Sequence, residues 1–319
     1  MSINKIFFLI CETSVHAGAS ESVGYVDLPI QRNKVTKFPI IQASEVKGCL
    51  REYFEDQGNE INDLVEEAFG PDKKGDTFGG ALSFIEAKVL FFPVKALYGV
   101  YAYITCPLVL NDFFRLASHA GYPVSLSNGD LLAGIGQDKA IFAADSINKV
   151  SEDLVIINDF PLKKYDEMTI SVNLNGEKAN IFNFFGDKIF PNNEEYAYWK
   201  SNFPKRAMIV SDSLFEIITN TSTEVVTRNR IDNITGTVND KEGGLWNEEN
   251  LPAETILYSM VQAEKARKEE GKLSEPEKLM DFLKGSQTTS PSKGINGKRL
   301  QIGGDKTVGK GFVFVNFFD

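Results

Sequence analysis

The chain has 319 residues, 42% apolar and 24% charged, enough to bury a core without disulfides or a structural metal. Three widely spaced cysteines (Cys11, Cys49, Cys106) argue against a disulfide framework, and two histidines (His16, His119) against a zinc site of the usual kind. A net charge of −10 excludes a general nucleic-acid coat, since phosphate binding needs Lys and Arg to displace counterions.

In chain order, residues 5–11 are rich in Phe, Ile and Leu and read as a buried first strand. That run is too short to span a bilayer, and the polar residues from Glu12 onward do not fit a signal peptide, so a cytoplasmic protein with no membrane partner is expected. A loop over 12–39 follows, and loops of that length in a compact domain are usually functional or disordered. Ser44 reads as the N-cap of a helix to about residue 56, with Val46, Leu50 and Tyr53/Phe54 as its apolar face. A short helix over 61–69 stops at Gly70-Pro71. Residues 81–87, 88–92 and 98–105 read as strands and 107–120 as a helix, whereas 121–205 fits no single period and reads as an insertion. Residues 215–219 end a helix, 223–231 alternate as a strand, and the polar, turn-rich 232–249 reads as a projecting hairpin or arm. A strand over 255–261 precedes Ser274-Glu275-Pro276-Glu277, which fits a capping box opening a helix to 284. Residues 285–298 read as mobile, and 311–317 as the last strand. The outline is α+β and compatible with a ferredoxin-like core carrying large insertions.

Charge is unevenly distributed. Residues 28–51 hold five basic side chains (Arg32, Lys34, Lys37, Lys47, Arg51) against Glu45 alone, and residues 293–319 hold five (Lys293, Lys298, Arg299, Lys306, Lys310) against Asp305 and Asp319. One groove built from the two ends could hold RNA while the acidic remainder repels it.

Four segments carry candidate chemistry. Ser44, Lys47 and Gly48 lie in the first turn of a helix, whose free N–H groups and positive dipole end attract anions; a plain N-cap with a solvated lysine is the simpler alternative. Gly303, Gly304, Lys306, Gly309 and Lys310 form a glycine-rich run close to a P-loop pattern. Gly311 stands where the metal-binding Ser or Thr belongs, and a strand follows instead of a helix, so no nucleotide cofactor is expected. Backbone amides and lysines following an RNA strand, or a plain turn, are the remaining readings. His16 and Asp27 share the long loop: a histidine can move protons, and one carboxylate can hold a divalent ion only with help from phosphate and water. Arg228 alternates with Arg230 on a predicted strand, and Trp246 beyond it could stack on a base or simply pack.

Taken together, these segments resemble the RAMP superfamily, and within it the backbone subunit of type III-B (Cmr) CRISPR effector complexes. The matching residues are His16-x-Gly18, Asp27-x-Pro29-Ile30-Gln31-Arg32, Phe38-Pro39, Ser44-x-x-Lys47-Gly48-x-Leu50-Arg51, Phe69-Gly70, Phe92-Pro93-Val94, Arg230-Ile231-Asp232-x-x-x-Gly236, Leu245-Trp246-x-Glu248-Glu249-x-Leu251-Pro252 and the glycine-rich 303–311. The resemblance implies a single domain over 1–319: a ferredoxin-like (RRM-like) palm, a large helical insertion over 107–205, a protruding β-hairpin thumb over 223–257 and a mobile glycine-rich segment over 286–311. It implies binding to a guide CRISPR RNA, stacking of copies in a helical filament, contact with other Cmr subunits, and cutting of a complementary target RNA at displaced nucleotides. Asp27 is then the essential carboxylate and ligand of a divalent metal, Mg2+ or Mn2+, with His16 close by. Gln31, Arg32, Ser44, Lys47, Gly48, Arg51, Arg228, Trp246, Gly303, Gly304, Lys306, Gly309 and Lys310 are the expected RNA-binding set. A non-catalytic guide-binding scaffold, a guide-processing ribonuclease and a P-loop NTPase are the rival readings.

Overall fold

A computed structural model of the chain describes residues 2–19, 26–71, 78–127, 132, 134–165, 170–230, 244–267, 271–285 and 293–319. The first strand β1 (Ile3–Cys11) is buried along most of its length. Successive side chains of a strand point to opposite faces, so Phe7 meets Phe84 and Phe317 on one side while Phe8 meets Phe113 and Phe318 on the other. A strand covered on both faces has no polar alternation, and its unbroken apolar run follows from that.

After a long loop come β2 (Ile40–Ile41), α1 (Ala43–Glu55), a 3-10 turn over 59–61 and α2 (Asn62–Phe69). The helix α1 is capped two residues earlier than its sequence indicates. Its cap is Gln42, whose N–H goes to the Gln31 side chain at 2.7 Å, and Ser44 makes no capping bond. The strands β3 (Leu82–Phe84), β4 (Ala87–Lys95) and β5 (Tyr101–Thr105) lead to α3 (Pro107–His119).

The stretch 107–205, expected as a helical insertion, mixes helix with short strands. It contains β6 (Val124–Ser127), β7 (Lys139–Phe142), β8 (Lys149–Ser151), β9 (Leu154–Ile157), β10 (Phe160–Lys164), β11 (Ser171–Leu174) and β12 (Glu177–Asn180). Only then come α4 (Ile181–Ile189) and α5 (Ala197–Arg206). Strands of three to five residues are too short to establish a period, which is why the sequence is mute there.

The chain continues through β13 (Ala207–Val210) and α6 (Asp212–Thr221) to the arm strands β14 (Glu224–Asn229) and β15 (Leu245–Asn250). These two pair with each other as a separate ribbon. The arm residues 231–243, including the Ile231, Asp232 and Gly236 positions of the motif, lie outside the described residues. The chain closes with β16 (Ile256–Ala263), α7 (Pro276–Lys284), β17 (Lys298–Gln301) and β18 (Phe312–Phe317). Pro276 takes the first helical position of α7, so Glu275 is the cap and the Ser274 capping box does not form. The strand β17 pairs with β18, and of the stretch expected to be mobile, residues 286–292 lie outside the described residues.

Among the described residues the main sheet runs β17-β18-β1-β16-β4-β5-β13-β7-β10-β9-β8. Its β18-β1-β16-β4 part is antiparallel throughout, with α1 between β1 and β4 and α7 between β16 and β18 in sequence. Phe54 of α1 stacks on Phe282 of α7 at 4.7 Å, and Phe113 of α3 packs on Phe8 at 5.9 Å across the sheet. Each such ring stabilises the fold by about 1.5–3 kcal/mol through burial. Among the described residues no helix is long and apolar enough to cross a membrane.

Candidate functional site

Four segments converge beyond the end of β1: the loop over 12–19, the motif over 27–32, the strand β15 and the turn over 302–311. Their backbones are stitched together. Val15 pairs with Leu251, the Gly304 N–H donates to the His16 carbonyl at 2.9 Å, and the Gly311 N–H donates to Ser14 at 2.8 Å. The Leu28 N–H reaches the Asn247 carbonyl at 3.0 Å, and the Glu249 N–H reaches the Leu28 carbonyl at 2.9 Å. A loop whose polar backbone groups are satisfied in this way is held in place, not loose.

Asp27 is exposed, and its Oδ2 accepts the Asn247 N–H at 2.7 Å. His16 is half-buried, with Nδ1 2.7 Å from the Glu249 carbonyl. A carbonyl can only accept, so Nδ1 carries the proton and a neutral imidazole keeps its lone pair on Nε2. The ring lies against Gly18 and Gly304, where a Cβ on Gly18 would stand 2.9 Å from Nε2. Gly303 has φ +88°, and a Cβ there would sit 2.5 Å from the His16 carbonyl oxygen, so the close approach of this turn to His16 requires glycine. The two candidate catalytic residues thus hang from one strand two residues apart, a rise of roughly 7 Å.

Among the described residues no three His, Cys, Asp or Glu side chains come together to hold a metal. The donor offered is a single exposed carboxylate. A hard oxygen of that kind fits Mg2+ or Mn2+ as one ligand, the rest coming from phosphate and water.

Adjacent residues of β15 face opposite ways. Glu248 turns toward the glycine-rich turn, where it meets Arg228 Nε at 3.0 Å and Lys310 Nζ at 2.6 Å. Asp305 takes the other side of Arg228 at 2.7 Å, and Asn250 Oδ1 accepts from Lys310 at 2.8 Å. Burial raises the Glu248 carboxyl, but Lys310, Asp305 and Arg228 outweigh it and hold the group below the ordinary carboxylate range. Burial and the neighbouring Glu248 push Asp305 above that range. Arg228 and Lys310, expected on RNA, are therefore engaged by protein carboxylates, and Trp246 lies half-buried opposite Arg228.

Gln31 and Arg32 are also turned inward. Gln31 donates to the Gly18 carbonyl at 2.9 Å and to Glu45 at 2.6 Å. Arg32 pairs with Glu249 and donates to the Thr219 carbonyl at 3.1 Å. Arg51 pairs with Glu55 and reaches the Gly70 carbonyl at 3.0 Å.

An outward surface remains. Ser44 and Gly48 are exposed on α1, with Lys47 beside them. Gly304, Lys306 and Gly309 are exposed across from them, with Lys306 4.0 Å from Glu52 of α1. Burial, and then the Arg51 charge, hold Lys47 below the usual lysine range. The sequence assigns no site role to Glu45, Glu248, Glu249, Asn250 or Asp305. The one available signal was Glu248-Glu249-Asn250 running on into the apolar Leu251, which places three polar residues where a core begins.

The RAMP superfamily sequence model matches residues 8–314. The chain is 35% identical over 306 residues to the CRISPR system Cmr endoribonuclease Cmr4 of Pyrococcus furiosus, covering 95% of this chain and 92% of that one. A crystal structure of Cmr4 superposes with a TM-score of 0.67 at 29% identity, covering 99% of each chain. A chain in the cryo-EM structure of type III-B Cmr-beta bound to cognate target RNA superposes with a TM-score of 0.70 at 21% identity, covering 99% of this chain and 97% of that one, and supports the fold. With a matching sequence model, a relative sharing a third of its residues and the same chain path, the protein belongs to the RAMP superfamily.

Proposed function

We propose that this chain is the guide-RNA-binding backbone subunit of a type III-B CRISPR effector and cuts complementary target RNA inside the assembled complex. The observation that carries the reading is the exposed Asp27 anchored on β15, beside His16 and at the root of the arm. The β18-β1-β16-β4 sheet with α1 and α7 is its ferredoxin-like palm, and β14–β15 is the root of its thumb. Its partners are the guide RNA, the target RNA, further copies of itself in a helical filament and the other Cmr subunits, in the cytoplasm.

The guide backbone lies over the first turns of α1 and the glycine-rich turn, contacting Ser44, Lys47, Gly48, Lys306 and the amides of 303–309. Such contacts hold phosphates and read no sequence; base pairing supplies that. Arg228, Lys310, Gln31 and Arg32 shape the site from behind. The thumb displaces a target base, which brings a 2′-hydroxyl in line with the neighbouring phosphate, and the rate gain comes from positioning. The 2′-oxygen bonds to phosphorus, its proton passes to a nearby base such as His16 Nε2, and the 5′-oxygen of the next nucleotide leaves. A divalent ion bound partly by Asp27 supplies charge neutralisation at the phosphate and leaving oxygen.

Guide binding tests the RNA surface. Lys47→Ala and Lys306→Ala are each expected to weaken guide affinity without sequence preference and to reduce the salt slope by about one unit. Unchanged binding over a salt titration by filter retention would move the guide off this surface. Cutting is tested separately by substitution of Asp27.

A further inference from the structure

We infer that Glu249 is a positioning residue for target cutting: its buried side chain and backbone together set the geometry of Asp27 and His16 without touching RNA. This rests on the ribonuclease reading above.

Every hydrogen-bonding group of Glu249 is committed to the site. Its N–H donates to the Leu28 carbonyl at 2.9 Å, which fixes the residue next to Asp27. Its carbonyl accepts His16 Nδ1 at 2.7 Å, which sets both the tautomer and the ring orientation. Its Oε2 accepts the Ile30 N–H at 3.0 Å, and Oε1 accepts Thr223 Oγ1 at 2.7 Å as well as Arg32 Nη2. Arg32 carries the connection onward, donating to the carbonyls of Lys37 and Thr219 at 3.1 Å each. One residue, 7% exposed, thereby joins the motif loop, the histidine loop, the start of the arm and the end of α6.

The side chain is too deeply placed to reach a substrate, so its influence passes through the groups it holds. Outer hydrogen-bond partners of catalytic groups typically change activity 10- to 100-fold when replaced. The proposed guide surface on α1 and the glycine-rich turn makes none of these bonds. Loss of Glu249 should therefore separate cutting from binding. Glu248 does not duplicate this role, since its carboxylate faces the other side of β15 toward Arg228 and Lys310.

The test uses the reconstituted complex with guide RNA, a complementary target and Mg2+. Glu249→Gln keeps the shape of the side chain but replaces one acceptor oxygen by a donor. Its single-turnover cutting rate at saturating target is expected to fall about 10- to 100-fold, with guide and target affinities within about twofold of wild type. The double variant Arg32→Gln/Glu249→Gln is expected to be no slower than the worse single variant, because the pair acts as a unit. Thr223→Val, which removes one partner of Glu249 and leaves its charge pair intact, is expected to slow cutting a few-fold, and it decides the matter should Glu249→Gln not assemble. Wild-type rates in Glu249→Gln, or in Thr223→Val where that variant decides, would overturn the inference, as would parallel losses of rate and affinity. A wild-type complex that binds target and leaves it intact would instead remove the ribonuclease reading, and this inference with it.

Discussion

Replacing Asp27 by alanine is expected to slow target cutting by the assembled complex on the order of 10³-fold, with guide and target still bound. The size follows from the several kcal/mol that charge neutralisation at a phosphate contributes, at 1.36 kcal/mol per tenfold in rate. The geometry explains why binding should survive. Asp27 is exposed, one oxygen takes the Asn247 N–H, and the other accepts from no protein group among the described residues. The side chain therefore leans on the fold without holding it together. Asp27→Asn separates charge from shape: its amide oxygen can still accept from Asn247, yet it brings no negative charge. Equal losses in both variants assign the effect to charge, and full activity in Asp27→Asn would make the residue a structural support. Single-turnover rates with a labelled target measure both.

The second large effect is expected at Glu248. Its side chain is 3% exposed and holds Arg228 across both oxygens, with Lys310 on Oε1 as well. Removing one member of a buried ionic network strands the remaining charges, which costs about 3–5 kcal/mol. The arm bears this loss most directly, because among the described strands β14 pairs only with β15, whose other edge is held by the short Leu28 loop, and a two-stranded ribbon is marginal in water. Glu248→Ala is expected to lower Tm and to raise amide exchange in 224–229 and 245–250. The pH dependence has a definite sign. A carboxyl held below its ordinary range stabilises the fold above that range and loses the contribution as the pH falls through its folded value. Asp305, raised by burial and by Glu248, behaves in the opposite sense and favours its protonated form. The difference in Tm between wild type and Glu248→Ala is therefore expected to be full at neutral pH and to shrink on acidification. A difference that stayed constant with pH would show that the network is not held by Glu248's charge.

Much of the β18-β1-β16-β4 sheet and the helices on it was legible because these elements keep one period for long enough. The apolar run of β1, the Val46-Leu50-Phe54 face of α1 and the buried length of β16 each declare themselves locally. The caps were misplaced by one or two residues where a distant group or a proline intervened: Gln31 reaches Gln42 at the start of α1, and Pro276 occupies the first position of α7. Residues 121–205 were unassigned for a different reason, since β6 to β12 are too short for any periodicity to register. At the site, the ordered motif supplied Asp27, His16 and the glycine-rich turn. It could not supply their partners. Lys310 and Arg228 look like free cations in the sequence, but Glu248 stands 62 positions from the first and 20 from the second, and only the fold brings the charges together. Buried glutamates in a turn-rich arm look the same, in sequence, as solvated ones.

The most direct test of the central claim is to map the products of a complementary target RNA incubated with the reconstituted complex in Mg2+ and in EDTA. A metal-assisted ribonuclease acting at displaced nucleotides predicts cuts at regular intervals in Mg2+, none in EDTA, and loss of one cut alone when the 2′-hydroxyl at that position is replaced by hydrogen. A target that stays bound and intact, or that is cut without regular spacing or without regard to the 2′-hydroxyl, would contradict it.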